Sequence, residues 1–545
     1  MLHLEKNIHS LWLKFQYSQV FSYVSLLFLI LPLLLFSSGN NSLMAHDEGL
    51  YATRARLMYD SGEWIHPWNS PHHKTPGIYW IIALFYKLFG VNELSVRLPS
   101  MILGTLSIFI LYEIGKIILD RKIAWLAAAI FSVEFLWLQY CRLGTPDVTM
   151  IFLVLSGILL LLKAELYPKQ YSKRFFTYYN ILCFLSGFCF GLGLLIRSFM
   201  IILPIVALFP FFISLHTRHR LLNNLYFYVG FIVGLIPTFI WLWLSYSHYG
   251  TGSFLQLLDF VFQVGSIERH GNGIIFYIWN VPLKSFPWFF FALLGLFIII
   301  RRPQAKYKSI LVGFPVILFI ELSVISTRLS HYSLCLYPFI ALLAAVGLDA
   351  LTHRKTPILR YLSYGVSVVS ILLLFAGVIA LSIGNSEIHK YTNVILVLGA
   401  GWFTLPILWI QRHRFNNKQV FFNCWLAGWL VPVWLGLAVL GYNGAFNDYN
   451  PKFRKFIESE KAAPIIKSSP IHLVDVGDKA GVLINFYTKS IAARVDTLRE
   501  VPVNNYAWVE ESQINESSNS HVQYRVIGKV KGYSLIQVIR NSQNS

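Results

Sequence analysis

Apolar runs recur along most of the chain and set its predicted architecture. Thirteen of them approach the length of about 20 residues that a helix needs to cross a bilayer. They lie at 20–36, 98–119, 123–139, 148–162, 176–196, 199–215, 226–246, 286–300, 310–325, 332–348, 359–383, 394–410 and 421–440. The pattern predicts thirteen transmembrane helices. The first run is expected to be a span, not a cleaved signal peptide, because many further spans follow it.

Basic residues occupy every second connection between these runs. Examples are Arg121-Lys122, Arg218 with Arg220, and Arg412 with Arg414. Since lysine and arginine concentrate in cytoplasmic loops, this alternation predicts a cytoplasmic N-terminus. The connections 37–97, 140–147 and 247–285 and the tail after residue 442 would then face the outside. Topology therefore accounts for most of the net charge of +19, and nucleic-acid binding is not expected.

Composition supports a membrane protein with a small polar domain at its end. The 545 residues are 56% hydrophobic and 13% charged, and the mean hydropathy is +0.56. The five cysteines lie in or beside apolar runs without a CxxC pair, so neither a disulfide framework nor a zinc site is expected. Residues 442–545 are polar, with short β-rich runs and a predicted hairpin around Lys531-Gly532. We expect a transmembrane domain over 1–441 and a small extracytoplasmic α/β domain over 442–545.

The connection 37–97 carries two helical patterns and a pair of adjacent acids. Apolar residues recur at helical spacing after Asp47, which makes Asp47 a candidate N-cap. The stripe within 78–89 predicts a short helix lying in the membrane interface. Asp47-Glu48 and Asp147, at the start of the fourth run, are expected on the same side of the membrane. Each acid has two interpretations, a helix start or a general base beside a leaving phosphate.

Several motifs together resemble one family of membrane enzymes. They are HDEGLYATRARLMYDSGEW, KTPGIYWIIALFYKLFGVNELSVRLPS, RLGTPDVTM, GLGLLIRS and RLSHYSLCLYPFIALLAA. The set is similar to the GT-C glycosyltransferases that include lipid A aminoarabinose transferase and the protein O-mannosyltransferases. The resemblance covers most of 13–348. It implies a polyprenyl-phosphate sugar donor, inversion at the anomeric carbon, and an acceptor modified on the outer side of the membrane.

The resemblance also implies roles for individual residues. Asp47, Glu48 and Asp147 take the catalytic positions, with Asp47 as the base. Tyr51, His331 and Arg197 are expected to bind substrate. The donor phosphate is assigned to five basic residues: Lys74, Arg56, Arg269, His270 and Arg328. For Arg269 the alternative is pairing with Glu268, and for Arg328 and His331 it is a side chain that reaches the interface.

Two departures from the family pattern affect the expected ligands. His73 stands where a glutamate is usual, and Arg197 stands where a lysine is usual. His73 and His270 are candidate ligands of a divalent metal, with a surface role as the alternative, and no metal is expected to be obligatory. The sugar and the acceptor are left open among a lipid A-like glycolipid, a surface glycan and a protein serine or threonine. A secondary transporter or flippase is the alternative function, although the acids gather at one membrane face.

Overall fold

The computed structural model describes most of the chain outside its first 18 residues. The described residues are 19–68, 71–167, 177–214, 223–267, 271–302, 307–353, 356–383, 386–446, 448–517 and 522–541. Of the basic residues named above, Arg218 and Arg220 lie outside these ranges. Glu268, Arg269 and His270 do so as well.

The chain is mainly helical, as predicted, and is a multi-pass integral membrane protein. The helices before residue 215 are α1 Gln19–Leu35, α2 Asp47–Ser61, α3 Gly77–Phe89, α4 Glu93–Ile118, α5 Arg121–Ser132, α6 Phe135–Cys141, α7 Pro146–Leu166, α8 Tyr178–Arg197, α9 Ile202–Ala207 and α10 Phe209–Phe212. Those between 223 and 442 are α11 Leu225–Tyr249, α12 Gly252–Ser266, α13 Phe276–Lys284, α14 Trp288–Arg301, α15 Phe314–Val324, α16 Tyr337–His353, α17 Thr356–Ser382, α18 Ser386–Trp402, α19 Thr404–Ile410 and α20 Lys418–Tyr442.

The described residues contain eight helices that are long and apolar enough to cross a membrane. The number is ten if two bent pairs each count as one span, α5 with α6 at 66° and α13 with α14 at 110°. Three shorter apolar helices lie at Val20–Leu35, Gly77–Phe89 and Ser309–Val324. The count of thirteen spans therefore stays a prediction, whereas the fold class is confirmed.

Small residues allow neighbouring spans to approach closely. Helices α8 and α11 cross where Gly187 and Gly230 face the opposite backbone. A Cβ atom on Gly230 would lie 1.9 Å from the carbonyl oxygen of Phe184, and one on Gly187 would lie 2.0 Å from that of Phe227. Since lipid tails give helices no hydrophobic reason to associate, such close packing stabilises the bundle through van der Waals contact.

The polar C-terminal residues form the small α/β domain that the sequence predicts. Its elements are α21 Pro451–Ile457, α22 Ala463–Ser468, β1 Ile471–Val474, α23 Asp478–Tyr487, β2 Ile491–Val495, β3 Tyr506–Glu510, α24 Glu511–Ser517, β4 Val522–Val530 and β5 Tyr533–Asn541. The sheet has the order β2-β1-β3-β5-β4, in which the first three strands are parallel and the last three antiparallel. The predicted hairpin is β4 with β5. We call 448–541 the sheet domain.

The sheet domain and the connection 37–97 share one hydrophobic core. Helices α2 and α3 contribute Tyr51, Ala55 and Ile82, and the sheet domain contributes Leu483 and Trp508, all buried. A separate and larger core fills the membrane bundle. The helix that carries Asp47 therefore packs against the last domain of the chain, although more than 400 residues separate them in sequence.

Helix α2 begins one residue earlier than an Asp47 cap would require. His46 occupies the N-cap position and its side chain makes no capping hydrogen bond, while Asp47 and Glu48 lie in the first turn. The expectation that Asp47 caps the helix was therefore wrong. Both acids still lie at the positive end of the helix dipole. Asp147 likewise lies in the first turn of α7, after Thr145 and Pro146.

Candidate active site

A buried ion pair joins two of the predicted site residues. Arg197 Nη2 lies 3.0 Å from Asp147 Oδ1, and the side chains are 13% and 4% exposed. Arg197 ends α8, and Asp147 begins α7, so the pair connects the ends of two packed spans. The guanidinium also lies over the ring of Tyr332, with 6.0 Å to the centroid. A charge so deeply buried requires a partner, and each group provides it for the other.

Tyr51 connects this pair to Lys74. Its hydroxyl oxygen accepts a hydrogen bond from Arg197 Nη1 at 3.2 Å and another from Lys74 Nζ at 3.2 Å. Burial raises the pKa of Tyr51 to about 12, so the phenol keeps its proton. Because both lone pairs of the oxygen are occupied by N–H donors, the hydroxyl proton is available to a further acceptor. The arrangement predicts an O–H donor directed at an anionic group.

Lys74 is held by its neighbours through both its backbone and its side chain. Its ammonium lies 4.9 Å from the centre of the Tyr51 ring, and its backbone N–H donates to His72 Nδ1 at 3.2 Å. His72 Nε2 then contacts Tyr79 Oη at 3.1 Å, and Arg54 Nη1 donates to the same oxygen at 3.2 Å. Burial holds the pKa of His72 well below its ordinary value, so this imidazole is neutral. Burial also lowers the pKa of Lys74.

Asp47 lies beside this network on α2, one turn before Tyr51. Its side chain is partly exposed, unlike that of Glu48. Burial is the largest influence on both neighbouring pKa values, raising that of Tyr51 and lowering that of Lys74. The negative charge of Asp47 is a smaller influence, and it raises the pKa of each group. Within the described ranges we find no hydrogen-bond donor on the Asp47 carboxylate. The role of Asp47 as the base stays a prediction.

Glu48 is engaged entirely by the protein. Its two oxygens accept from Arg97 Nε at 2.7 Å, Arg97 Nη2 at 3.0 Å, Met44 N at 3.0 Å and Gly144 N at 3.2 Å. Both Glu48 and Arg97 are fully buried. Arg97 also donates to the carbonyl oxygens of Ser38, Asn41 and Ser42. This geometry supports a positioning role for Glu48, and its predicted catalytic role stays a prediction.

Arg56 is engaged by the sheet domain. Its guanidinium donates to the carbonyl oxygens of Asn485, Phe486 and Lys489 in the sheet domain, and its Nε bonds Asp60 at 3.0 Å. The side chain is 7% exposed. These contacts favour a structural role, and the assignment of Arg56 to the donor phosphate stays a prediction.

The remaining predicted residues make other contacts or lie outside the described ranges. Arg328 is buried and donates to the carbonyl oxygens of Ser323 and Asn272 at 3.0 and 2.8 Å, so it holds the chain around 272. The His331 ring lies 5.4 Å from that of Tyr140. Arg269 and His270 lie outside the described residues, so their predicted roles stay predictions.

The predicted metal ligands are His73 and His270, and His270 lies outside the described residues, so the metal site stays a prediction. The ring of His73 contacts those of His72 and Phe260, at 4.9 Å in each case. No group of three histidine, cysteine or acidic side chains suited to a metal occurs among the described residues. The five cysteines are free.

Comparisons with known proteins show which sequences this chain is similar to. Residues 73–243 match the family model described as dolichyl-phosphate-mannose-protein mannosyltransferase. An undecaprenyl phosphate-alpha-4-amino-4-deoxy-L-arabinose arabinosyl transferase of Shewanella sediminis is 27% identical over 425 residues, which cover 72% of each chain. A protein of Aquifex aeolicus is 24% identical over 340 residues, which cover 60% of this chain and 64% of that protein.

A solved structure shows the same fold over nearly the whole chain. The crystal structure of ArnT from Cupriavidus metallidurans bound to undecaprenyl phosphate has a TM-score of 0.73 at 17% identity, and the match covers 95% of this chain and 97% of that one. These matches are to GT-C glycosyltransferases of the aminoarabinose and protein mannosyl transferase group, and together they support a glycosyltransferase that uses a lipid-phosphate sugar donor. The comparisons give no support to the transporter alternative.

Sequence reasoning missed several residues that complete the site of this glycosyltransferase. Arg97, His72, Tyr79 and Arg54 all lie in or beside the motifs quoted above, so their position in those motifs was the available signal. Their partners could not be predicted because the contacts join residues up to 59 positions apart, as Arg97 and Ser38 are.

Proposed function

We propose that this glycosyltransferase transfers a sugar from a polyprenyl-phosphate donor to an acceptor at the extracytoplasmic face of the membrane. The donor class rests on the Shewanella relative, whose name specifies an undecaprenyl-phosphate-linked sugar, and on the Cupriavidus structure with bound undecaprenyl phosphate. The side of the membrane rests on the alternation of basic connections, which assigns the N-terminus to the cytoplasm.

The network around Tyr51 carries this proposal. Lys74 and Arg197 both donate to the Tyr51 oxygen, and Asp147 neutralises Arg197 from the far side. The phosphate would accept from Lys74 and from the Tyr51 hydroxyl proton. As the bond between C1 of the sugar and the phosphate oxygen breaks, negative charge grows on that oxygen. Donors fixed in advance stabilise this charge without reorganising during the reaction.

Asp47 would act as the base in the same step. The acceptor hydroxyl or amine attacks C1 from the face opposite to the phosphate and forms the new glycosidic bond. Its proton passes to the Asp47 carboxylate, and the electron pair of the broken bond leaves with the lipid phosphate. Attack from the opposite face inverts the anomeric configuration. A partly exposed carboxylate suits this role because the acceptor can reach it.

We assign the acceptor to the class of lipid A-like glycolipids. The similarity to the arabinosyl transferases supports a lipid-type acceptor, with a surface glycan and a protein serine or threonine as the alternatives. A divalent metal at His73 and His270 is a further proposal, and the mechanism above does not depend on it. Mass spectrometry of envelope lipids and glycans with and without the protein would identify the acceptor by the one sugar that disappears.

Substitution of the proposed base provides the direct test. In proteoliposomes with a polyprenyl-phosphate sugar and lipid A, we expect Asp47→Asn to lower kcat by about 100-fold or more, as the loss of a general base does. Asp259→Asn is the matched control, because this exposed acid on α12 bonds only Gln263 among the described residues. Full sugar transfer by Asp47→Asn would exclude Asp47 as the base. Movement of solute across the membrane without consumption of the donor would favour transport instead.

A further inference from the structure

The helix that carries Asp47 and Tyr51 is held from both ends. At its first turn, Glu48 bonds Arg97, which in turn binds the chain at 38–42. At its last turns, Arg56 reaches the sheet domain. Asp47 lies next to the first attachment, and Tyr51 lies between the two. Displacement of either end would move both side chains relative to Lys74 and Asp147.

The attachment of Arg56 is made to the end of a helix in the other domain. Helix α23 ends at Tyr487, and the last carbonyl groups of a helix have no partner within it. Arg56 Nη1 donates to the carbonyl oxygens of Asn485 and Phe486, and Nη2 donates to that of Lys489 at 2.7 Å. The positive guanidinium also complements the negative end of the α23 dipole. Arg56 therefore caps α23 from a different domain.

Further contacts extend the same interface along α2. Thr53 Oγ1 donates to the carbonyl oxygen of Val482 at 3.2 Å. A Cβ atom on Gly49 would lie 3.0 Å from Val482 Cγ1 and 3.1 Å from the carbonyl oxygen of Met44. Helices α2 and α23 thus contact each other over two turns of α2. A Cβ atom at Gly49 would meet Val482.

We propose that the sheet domain sets the position of α2 for catalysis, and that Arg56 is the positioning residue through which it does so. The inference rests on the proposed function, since it assigns Asp47 and Tyr51 to the reaction. It explains why a membrane glycosyltransferase would keep a domain with no predicted catalytic group next to its site. A displacement of about 1 Å in a catalytic group can cost about 100-fold in rate.

Two measurements on the full-length protein test the proposal. Hydrogen exchange followed by mass spectrometry reports the mobility of α2 without any substrate. We expect Arg56→Ala to raise exchange in α2 and to leave exchange in α4 unchanged. In the transfer assay, kcat should fall about 10-fold or more, while KM for the donor changes by less than about threefold. Arg56→Lys should recover part of kcat, because lysine keeps the charge and one or two of the donors.

A second variant separates positioning from a general loss of stability. Val509→Ala removes two methyl groups from the smaller core on the opposite face of the sheet, which does not include α2. We expect it to lower the thermal stability of the sheet domain with exchange in α2 and kcat unchanged. The proposal is overturned if Arg56→Ala leaves α2 exchange or kcat unchanged, or if Val509→Ala changes both equally. If the wild-type protein transfers no sugar, the proposed function fails, and the exchange measurement still decides whether Arg56 holds α2.

Discussion

Two buried carboxylate–guanidinium pairs lie near each other in this molecule and differ in what surrounds them. In the pair Glu48–Arg97, both side chains are fully buried and the carboxylate accepts four N–H groups from the protein. In the pair Asp147–Arg197, the arginine is 13% exposed and passes its second donor to Tyr51. In the first pair, the hydrogen-bonding groups of both side chains have protein partners. The second pair belongs to a network that ends at the Tyr51 hydroxyl group.

The difference shows how adjacent acids with the same chemistry acquire different roles. Asp47 and Glu48 are neighbours on a helix, where successive side chains point about 100° apart. Glu48 therefore turns into the protein toward Arg97, and Asp47 keeps a partly exposed carboxylate beside Tyr51. Saturation of every donor and acceptor indicates a structural pair, and incomplete saturation next to cations indicates a site for chemistry.

Substitution of Glu48 should have the largest effect, which is a loss of thermal stability. Glu48→Gln keeps the shape but leaves the Arg97 charge buried without its partner. Breaking a buried pair in this way costs about 3–5 kcal/mol. We expect a large fall in thermal stability in detergent and poor recovery of folded protein.

Glu511→Gln is the matched control for this variant. Glu511 pairs with Lys529 at 3.7 Å, and the side chains are 40% and 59% exposed, so its loss should cost about 1 kcal/mol or less. Equal thermal stability of the two variants would contradict the structural role of the Glu48–Arg97 pair.

Substitution of Asp147 should act mainly on activity. Asp147→Asn removes the charge that orients Arg197 toward Tyr51. We expect kcat/KM for sugar transfer to fall by about 100- to 1,000-fold, as for loss of one preorganised electrostatic group. The fall in thermal stability should be smaller than for Glu48→Gln, because Arg197 is 13% exposed and keeps its hydrogen bond to Tyr51.

Asp349→Asn provides the comparison for Asp147→Asn. Asp349 pairs with Lys122 at 3.2 Å, and the lysine side chain is 45% exposed. This variant should transfer sugar at the wild-type rate. If Asp147→Asn kept activity within about threefold of wild type, the Asp147–Arg197 pair would be structural like the first one.

The smallest expected effect is on the pH dependence of kcat/KM. Burial lowers the pKa of Lys74, so the ammonium loses its proton at a lower pH than an ordinary lysine does. Because only the charged form attracts the donor phosphate, kcat/KM should fall as the pH rises through this lowered pKa. Lys74→Arg should move the alkaline fall to higher pH, since arginine stays charged. Identical alkaline limbs in the two proteins would show that Lys74 does not set this limb.

Much of the architecture was predictable because it depends on local pattern. Apolar runs predict the membrane helices, and alternating residues on either side of turn residues predict the hairpin of β4 and β5. The family motifs also brought Tyr51, Lys74, Asp147 and Arg197 to attention as a set, and the structure places these four in one network.

The partners of individual charges were not predictable. Arg56 was expected at a phosphate, but its carbonyl partners lie more than 420 residues further along the chain. Nothing in residue type or spacing distinguishes an arginine that binds a ligand from one that caps a distant helix. The Asp47 cap failed for a different reason, because the helix begins at Asp47 and places it in the first turn.

The shared core of α2, α3 and the sheet domain has a consequence for how the protein is made. Ribosomes synthesise α2 within the first eighth of the chain, whereas its packing partners Leu483 and Trp508 come in the last eighth. The apolar side chains of α2 therefore stay uncovered until the sheet domain has been synthesised. Such non-local pairing is slow and exposes the chain to aggregation. The folding of this helix is consequently coupled to the synthesis of the last domain.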